Sequence, residues 1–213
     1  MTTNDDRTTD GWRLTTVHKF WNKIATHHHV FYLNDNEDQL MDILAGFVGT
    51  GINANDCTIV IATASHIEKL QQRLSSHGLH IHRLVEDERY IPVAAEEIMP
   101  KFMVNGLPDE QLFNQCISDI MAIAKHRNRP VRAFREMAAL LEIEGNTIAS
   151  SKLQSLWNKF SQQETLLLFY ATPSTVFTKE ARIALQEEGF THSKMVKNSN
   201  TISEILYKDC SQQ

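Results

Sequence analysis

An acidic, amide-rich loop follows the first apolar run of the chain, where many nucleotide-binding proteins hold phosphate. Residues 34–38 read NDNED and begin with Asn34 and Asp35. A phosphate loop needs glycine for close backbone approach and lysine for charge, but no lysine here follows a glycine and no GxGxxG pattern follows this run. The carboxylate and amide oxygens of this loop would, however, suit Mg²⁺. We favour a solvated helix N-cap, with Asn36 capping and the acids facing the positive end of the helix dipole.

A charged side chain is also predicted inside a buried strand. Arg132 interrupts the apolar run 130–134, and an unpaired charge there would cost several kcal/mol. Glu136, at the strand-to-helix junction, is one available partner, and Glu142 and Glu144 are others. Arg132 either forms an ion pair that fixes strand against helix or anchors a ligand at the mouth of the sheet. The sequence favours neither.

The histidines do not have the spacing of a metal site. His27, His28 and His29 are adjacent, and side chains on an extended segment point alternately, so the three cannot converge on one ion. His77 and His80 belong to a second, looser group, and zinc sites show tighter spacing with Cys or carboxylate partners. We therefore predict no metal and no other cofactor.

Cysteine usage and composition point to a reduced, cytoplasmic protein of one domain. Cys57, Cys116 and Cys210 are far apart and form no CxxC, and there is no GxSxG nucleophile elbow. The chain has 213 residues, 42% of them hydrophobic, and a formal net charge of −5. This balance argues against direct nucleic-acid binding. No apolar stretch approaches the roughly 20 residues of a membrane helix, and the polar, acidic N-terminus is not a signal peptide.

Short apolar runs alternate with helical patterns along the chain. Strands are predicted at 30–33, 57–63, 89–93, 130–134 and 165–171, with a weak one near 202–206. Helices are predicted after each: one begins at Asn36 and ends at Gly49 and Gly51, one is capped by Ser65, and others span 94–104, 108–126, 136–144, about 147–163 and 178–188. The alternation predicts an α/β three-layer sandwich around a mostly parallel sheet.

From about residue 28 to residue 173, the chain resembles the MEDS domain (methanogen/methylotroph, DcmR sensory). The order and spacing of many short segments carry the resemblance: HVFY at 29–32, residues 47–51, IVIAT at 59–63 with Ser65, His66 and Leu74, residues 102–106 with Pro108, Asp109 and Phe113, PVRAF at 130–134 with Glu136 and Met137, residues 140–141, 144–146 and 156–158, and the strand ending at Tyr170.

The resemblance implies a RecA/KaiC-like fold whose phosphate loop has decayed, in agreement with the missing Walker pattern. Family members are regarded as sensory modules beside histidine kinases or DNA-binding regions, and the type member responds to a small halogenated hydrocarbon. Arg135 stands where the family usually has glycine before the glutamate, which would narrow or recharge the expected site. The flanks are too short for a kinase or DNA-binding region, so we expect output through a separate partner or self-association.

The leading hypothesis is a non-catalytic sensory module. We divide the chain into an N-terminal tail and short amphipathic helix at 1–26, a MEDS-like domain at 27–173, and a C-terminal helix with a possible edge strand at 174–213. A small ligand or protein partner would bind where the strands end, and the signal would pass to a histidine kinase or transcription regulator. The candidate site residues are Asn34, Asp35, Thr63, Arg132, Glu136, Trp157 and Tyr170.

Individual roles and two alternatives follow from that hypothesis. Arg132 would anchor an anion or pair with Glu136, and Trp157 and Tyr170 would form an apolar wall, although helix-face core is the commoner place for a tryptophan like Trp157. One alternative is residual nucleotide hydrolysis, with Asp35 and Glu136 holding Mg²⁺. The other is an oligomeric protein-interaction module without a ligand, whose helix near 12–24 docks on a neighbour.

Overall fold

A six-stranded parallel sheet forms the centre of the molecule. The computed structural model describes residues 16–24, 29–176 and 193–197. Its strands are β1 (His29–Asn34), β2 (Cys57–Ala62), β3 (Tyr90–Ala94), β4 (Met103–Val104), β5 (Leu107–Pro108), β6 (Val131–Arg135), β7 (Leu166–Pro173) and β8 (Ser193–Lys197). The sheet has the order β3-β2-β6-β7-β1-β8, with every pairing parallel, while β4 and β5 form a separate antiparallel hairpin.

Helices cover both faces of the sheet. They are α1 (Thr16–Trp21), α2 (Glu37–Asn53), α3 (Ala64–Ser76), α4 (Ile81–Glu86), α5 (Ala95–Phe102), α6 (Glu110–Lys125), α7 (Met137–Ile143) and α8 (Thr147–Gln163). The buried side chains of α1 to α4 form one core cluster, on what we call the first face. Those of α5 to α8 form the other, on the second face. The predicted three-layer α/β sandwich is confirmed.

The β2 strand shows why the sequence folds this way. All six of its residues are buried. Val60 and Ala62 contribute to the core of the first face, whereas Cys57, Ile59 and Ile61 contribute to that of the second. Alternate side chains of a strand point to opposite faces, so a continuous apolar run satisfies both layers of helices at once.

The predicted end of helix α2 was wrong. We placed its C-cap at Gly49 and Gly51, but the helix continues to Asn53. A Cβ atom on Gly51 would lie 2.6 Å from Arg132 Cδ and 2.6 Å from Thr58 Oγ1. Gly51 therefore serves close packing of the helix against the sheet, not helix termination.

Other predicted boundaries also changed. The helices expected over 94–104 and 108–126 are shorter than predicted, because the β4–β5 hairpin lies between them. The turn residues of the hairpin, Asn105 and Gly106, have φ of 50° and 78°. Thr63, not Ser65, caps α3. The short helix α4 and strand β8 were not predicted. The helix predicted at 178–188 and the strand near 202–206 lie outside the described residues, as do His27 and His28.

The topology places two switch points at the C-terminal edge of the sheet, one on either side of β2. The chain leaves β2 for α3 on the first face, but it leaves the neighbouring strands β3 and β6 for α5 and α7 on the second face. Where connections from neighbouring strands run to opposite faces, an α/β sheet usually has a crevice in which ligands bind. We call these two places the crevice between β2 and β6 and the crevice between β2 and β3.

Within the described ranges, no helix combines the length and apolar character that crossing a bilayer requires.

Candidate functional site

Glu136 bridges the crevice between β2 and β6. It follows the last residue of β6, and its backbone N–H donates to Ile61 O at 3.1 Å. Its Oε1 accepts a hydrogen bond from the backbone N–H of Thr63 at 2.5 Å. The residue is only 5% exposed. Glu136 thus ties the end of β6 to the start of α3, as its place at the strand-to-helix junction allows.

His66 extends this bridge toward solvent. Its Nδ1 lies 2.7 Å from Glu136 Oε2 and its Nε2 lies 3.1 Å from Glu37 Oε1. Lys69 Nζ lies 2.5 Å from the same Glu37 oxygen. The hydrogen bond to Glu136 raises the pKa of His66 above its usual value, against the opposing effect of burial, and Glu37 adds to the rise. The hydrogen bond from Lys69 lowers the pKa of Glu37.

A second carboxylate covers the start of α3 from the other crevice. Both oxygens of Glu96, on α5, accept from the backbone N–H of Ala64, at 3.2 and 3.1 Å. Thr63 caps the helix by accepting from the N–H of His66 at 3.2 Å. The N–H groups of Thr63, Ala64 and His66 all donate to side chains of the protein itself. These helix-terminal donors, which bind phosphate in other folds, are therefore occupied.

The loop after β1 has the capping role that its composition suggested. Asn36 Oδ1 accepts from the N–H groups of Asp38 and Gln39, at 2.8 and 3.3 Å, so its prediction as N-cap is confirmed. Asn34 Oδ1 accepts from the N–H of Asn36 at 3.0 Å. Asp35 accepts a hydrogen bond from the hydroxyl of Ser174, just after β7.

Arg132 lies away from this edge, and its predicted pairing with Glu136 was wrong. Its Nε donates to Asp56 Oδ2 at 2.9 Å, its Nη2 donates to the same oxygen, and its Nη1 donates to Phe47 O at 3.2 Å. Arg132 lies on the first face, where it contacts Phe47 and Gly51 of α2. It is near the N-terminal ends of the strands, since its partner Asp56 directly precedes β2. Burial raises the pKa of Asp56 despite the attraction of Arg132, and burial lowers the pKa of Arg132.

The aromatic residues predicted as a ligand wall face a cation of the protein. Arg135 is 1% exposed, and its Cζ lies 5.3 Å from the ring centroid of Trp157 and 4.7 Å from that of Tyr170. Trp157 also packs edge-on against Phe113 at 5.4 Å, within the second-face core. The ring of Tyr170 lies 5.1 Å from that of Phe31. The core interpretation of Trp157 therefore fits its surroundings better.

The family model for MEDS, described as "MEthanogen/methylotroph, DcmR Sensory domain", matches residues 28–193. This is well over half of the 213 residues. The chain belongs to the MEDS family. The family is named for a sensory role, and this MEDS domain shares the α/β fold of a protein from Pyrococcus horikoshii OT3, the subject of a structural study of project PH0250, with a TM-score of 0.55.

That structural likeness concerns the fold alone. The two chains are 13% identical, and the alignment covers 88% of this chain and 89% of the Pyrococcus chain. No curated protein matches the sequence.

Five charged residues of the MEDS domain escaped the site prediction. Glu37 lay in the acidic loop, where it was assigned only to the helix dipole, and His66 lay in a segment of the resemblance without a role in the site. Arg135 was noted only as a departure from the family. Asp56 and Glu96 had no signal of their own. The available clue was position, because His66 and Glu96 lie in the first turns of helices that follow strands.

Metal and thiol chemistry find little support in this MEDS domain. Among the described residues, no group of three or more His, Cys, Asp or Glu side chains is arranged to hold a metal ion. Cys57 is fully buried, and burial raises its thiol pKa to about 11. A thiol with that pKa stays protonated near neutral pH and is a poor nucleophile.

Proposed function

We propose that this MEDS domain is a non-catalytic sensory module whose ligand engages the C-terminal edge of the sheet, at the crevice between β2 and β6. The position of Glu136 carries the proposal. It is a buried carboxylate at the junction where α/β sheets bind ligands, and it links the ends of two strands to a helix. A ligand that disturbs Glu136 would alter β6, α3 and, through His66, α2 together.

The bonds of Glu136 support a role without catalysis. One carboxylate oxygen accepts from Thr63 N–H and the other contacts His66 Nδ1. Both oxygens thus contact groups of the protein itself, and the residue is only 5% exposed, which limits the access of a reacting group or a hydrated ion. The N–H groups of Ala64 and His66, in the first turn of α3, likewise donate to protein side chains. These features argue against residual nucleotide hydrolysis at this edge.

The downstream steps belong to the same proposal. We infer that the domain is a RecA/KaiC-like module with a decayed phosphate loop, works in the cytoplasm, and relays its signal to a separate histidine kinase or transcription regulator. Candidate ligand contacts are Asn34, Asp35, Thr63 and Glu136, whose backbone or side chains lie at strand ends on this edge. Self-association is the competing route for output.

Nuclear magnetic resonance and calorimetry test the proposal. We expect chloroform or dibromomethane, as small halogenated probes, to shift the amide signals of Thr63, His66 and Glu136. ATP, with or without Mg²⁺, should neither bind at micromolar concentration nor be hydrolysed. Glu144→Gln serves as an exposed-carboxylate control for Glu136→Gln. Micromolar ATP binding with turnover that Glu136→Gln abolishes and Glu144→Gln preserves would establish the enzyme alternative instead.

A further inference from the structure

Both ring nitrogens of His66 face carboxylate oxygens. Nδ1 lies 2.7 Å from Glu136 Oε2 and Nε2 lies 3.1 Å from Glu37 Oε1. We call Glu136, His66 and Glu37 the His66 latch. Its three residues come from the β6–α7 junction, the first turn of α3 and the first turn of α2. The latch therefore joins three elements of the C-terminal edge through one imidazole ring.

The two contacts together require a protonated ring. A neutral imidazole carries one N–H and can donate from only one nitrogen, whereas the imidazolium ion donates from both. Since ionised carboxylates only accept, loss of the proton leaves one nitrogen lone pair facing an acceptor. Glu37 is the partner that can move away, because its side chain is 49% exposed and that of Glu136 only 6% exposed.

We propose that the His66 latch is a proton-dependent switch at the sensory edge. Protonated His66 joins Glu37, at the start of α2, to Glu136, at the β6–α7 junction, and loss of the proton breaks the contact between His66 and Glu37. The existence of the latch is inferred from the contacts of His66 in the ligand-free protein. Its use to control ligand access, by loosening the crevice beside Glu136, rests on the function proposed above.

The charges around His66 favour the protonated ring, in which both carboxylate contacts are made. Glu37 faces the ring from α2 and Glu136 faces it from the β6–α7 junction, while Lys69 on α3 shares the Glu37 oxygen. Glu96 on α5 faces the neighbouring Ala64 N–H. The raised pKa of His66 agrees with this arrangement. After deprotonation Lys69 alone would hold Glu37, so the link between α2 and Glu136 would be lost.

The sign of the pH dependence follows from this direction. The folded-state pKa of His66 lies above the value of about 6.5 expected in the unfolded chain. The latch therefore contributes its full stabilisation below about pH 6.5, and the contribution is lost as the pH rises through the folded-state pKa. Urea unfolding of the wild type should show this loss. His66→Gln should lack it, and His82→Gln, a substitution at an exposed histidine, should retain it.

A ligand-free titration of the full chain tests the latch directly. Ring signals of His66, assigned with His66→Gln, should titrate with a midpoint above about pH 6.5. The backbone amides of Glu37, Thr63 and His66 should move with the same midpoint. Glu37→Gln should lower that midpoint, and Glu136→Gln should lower it further, because the hydrogen bond to Glu136 is the larger cause of the raised pKa.

Two results would overturn the proposal. One is a wild-type midpoint at or below about pH 6.5, and the other is a ring titration that leaves the amides of Glu37 and Thr63 unmoved. Neither depends on Glu136→Gln being folded, since both are measured on the wild type. Because no ligand is present, failure of the latch is distinguishable from failure of the sensory proposal, which the halogenated probes and ATP test separately.

Discussion

Two arginines in one buried strand are stabilised in different ways. Arg132 and Arg135 are three positions apart in β6, so they point to opposite faces of the sheet. Arg132 pairs with Asp56 on the first face, and Arg135 lies against the rings of Trp157 and Tyr170 on the second. Burial raises the pKa of Asp56 and lowers that of Arg132, although the two charges attract each other. We interpret the pair as structural, because both partners are buried and loss of either would leave a buried charge unpaired, which is costly.

Substitution of Asp56 should reveal that cost. We expect Asp56→Ala to lower the free energy of unfolding by about 3–5 kcal/mol, because it leaves the buried Arg132 charge without its carboxylate. Adding Arg132→Met should recover part of the loss. The matched control is Asp42→Ala, which removes the carboxylate of the exposed Arg73 pair and should cost about 0–1 kcal/mol. Urea unfolding measures all three, and equal losses for Asp56→Ala and Asp42→Ala would contradict the structural role.

At the scale of elements, helix α2 is shaped by what packs beneath it. Twelve of its residues are buried, including Gly46, Gly49 and Gly51. A Cβ atom on Gly51 would overlap Arg132 Cδ and Thr58 Oγ1. The glycine lets the helix backbone approach β2 and β6, while Arg132 Nη1 donates to Phe47 O in the same helix. The helix, the strand and the ion pair therefore depend on one another.

Gly51→Ala provides a test of this close packing. Alanine is the better helix former by about 1 kcal/mol, so helix propensity alone predicts a more stable protein. We expect a less stable one, with a loss of about 1–3 kcal/mol from overpacking. In an Arg132→Ala background the same substitution should cost less, because two of the three nearest atoms, Cδ and Nε of Arg132, are gone and only Thr58 Oγ1 remains. An increase in stability on Gly51→Ala in the wild-type background would show that Arg132 moves aside freely.

At the scale of the whole molecule, the short helix α1 is part of the first-face core. Trp21 is 1% exposed, and its Nε1–H donates to Ile43 O at 3.1 Å. Its ring packs edge-on at 4.8 Å against both Phe47 and Phe169. Through these contacts the apolar face of this segment packs on the protein's own body. The alternative, docking on a neighbour, would have to remove Trp21 from the core.

Replacement of Trp21 should therefore affect folding first. We expect Trp21→Ala to reduce the free energy of unfolding by about 3–5 kcal/mol, the usual cost of truncating a large buried aromatic side chain. Lys23→Ala, at an exposed position two residues away, is the control and should stay within about 0.5 kcal/mol. If Trp21→Ala keeps its stability but changes the mass measured by sedimentation, α1 is an interface element instead.

Local patterns predicted the elements better than they predicted contacts. The runs at 57–63 and 165–171 correspond to strands, and Asn36 is the cap of α2, because apolar continuity and capping chemistry act within a few residues. The two glycines in α2 misled the prediction because a glycine suits a helix end and a close contact equally well. The hairpin at Asn105 and Gly106 was missed because two-residue strands leave almost no periodicity.

Local patterns in the chain predict the main strands and helices of the sandwich and a sheet that is buried on both faces. The contacts between distant residues follow from the fold alone. Arg132 meets Asp56 across 76 positions of the chain, and Glu136 meets His66 across 70. Both contacts exist because β6 lies beside β2, with strand β3 and several helices between them in the chain. Strand order depends on how all the apolar faces pack together, so the spacing of residues within a short segment does not predict it.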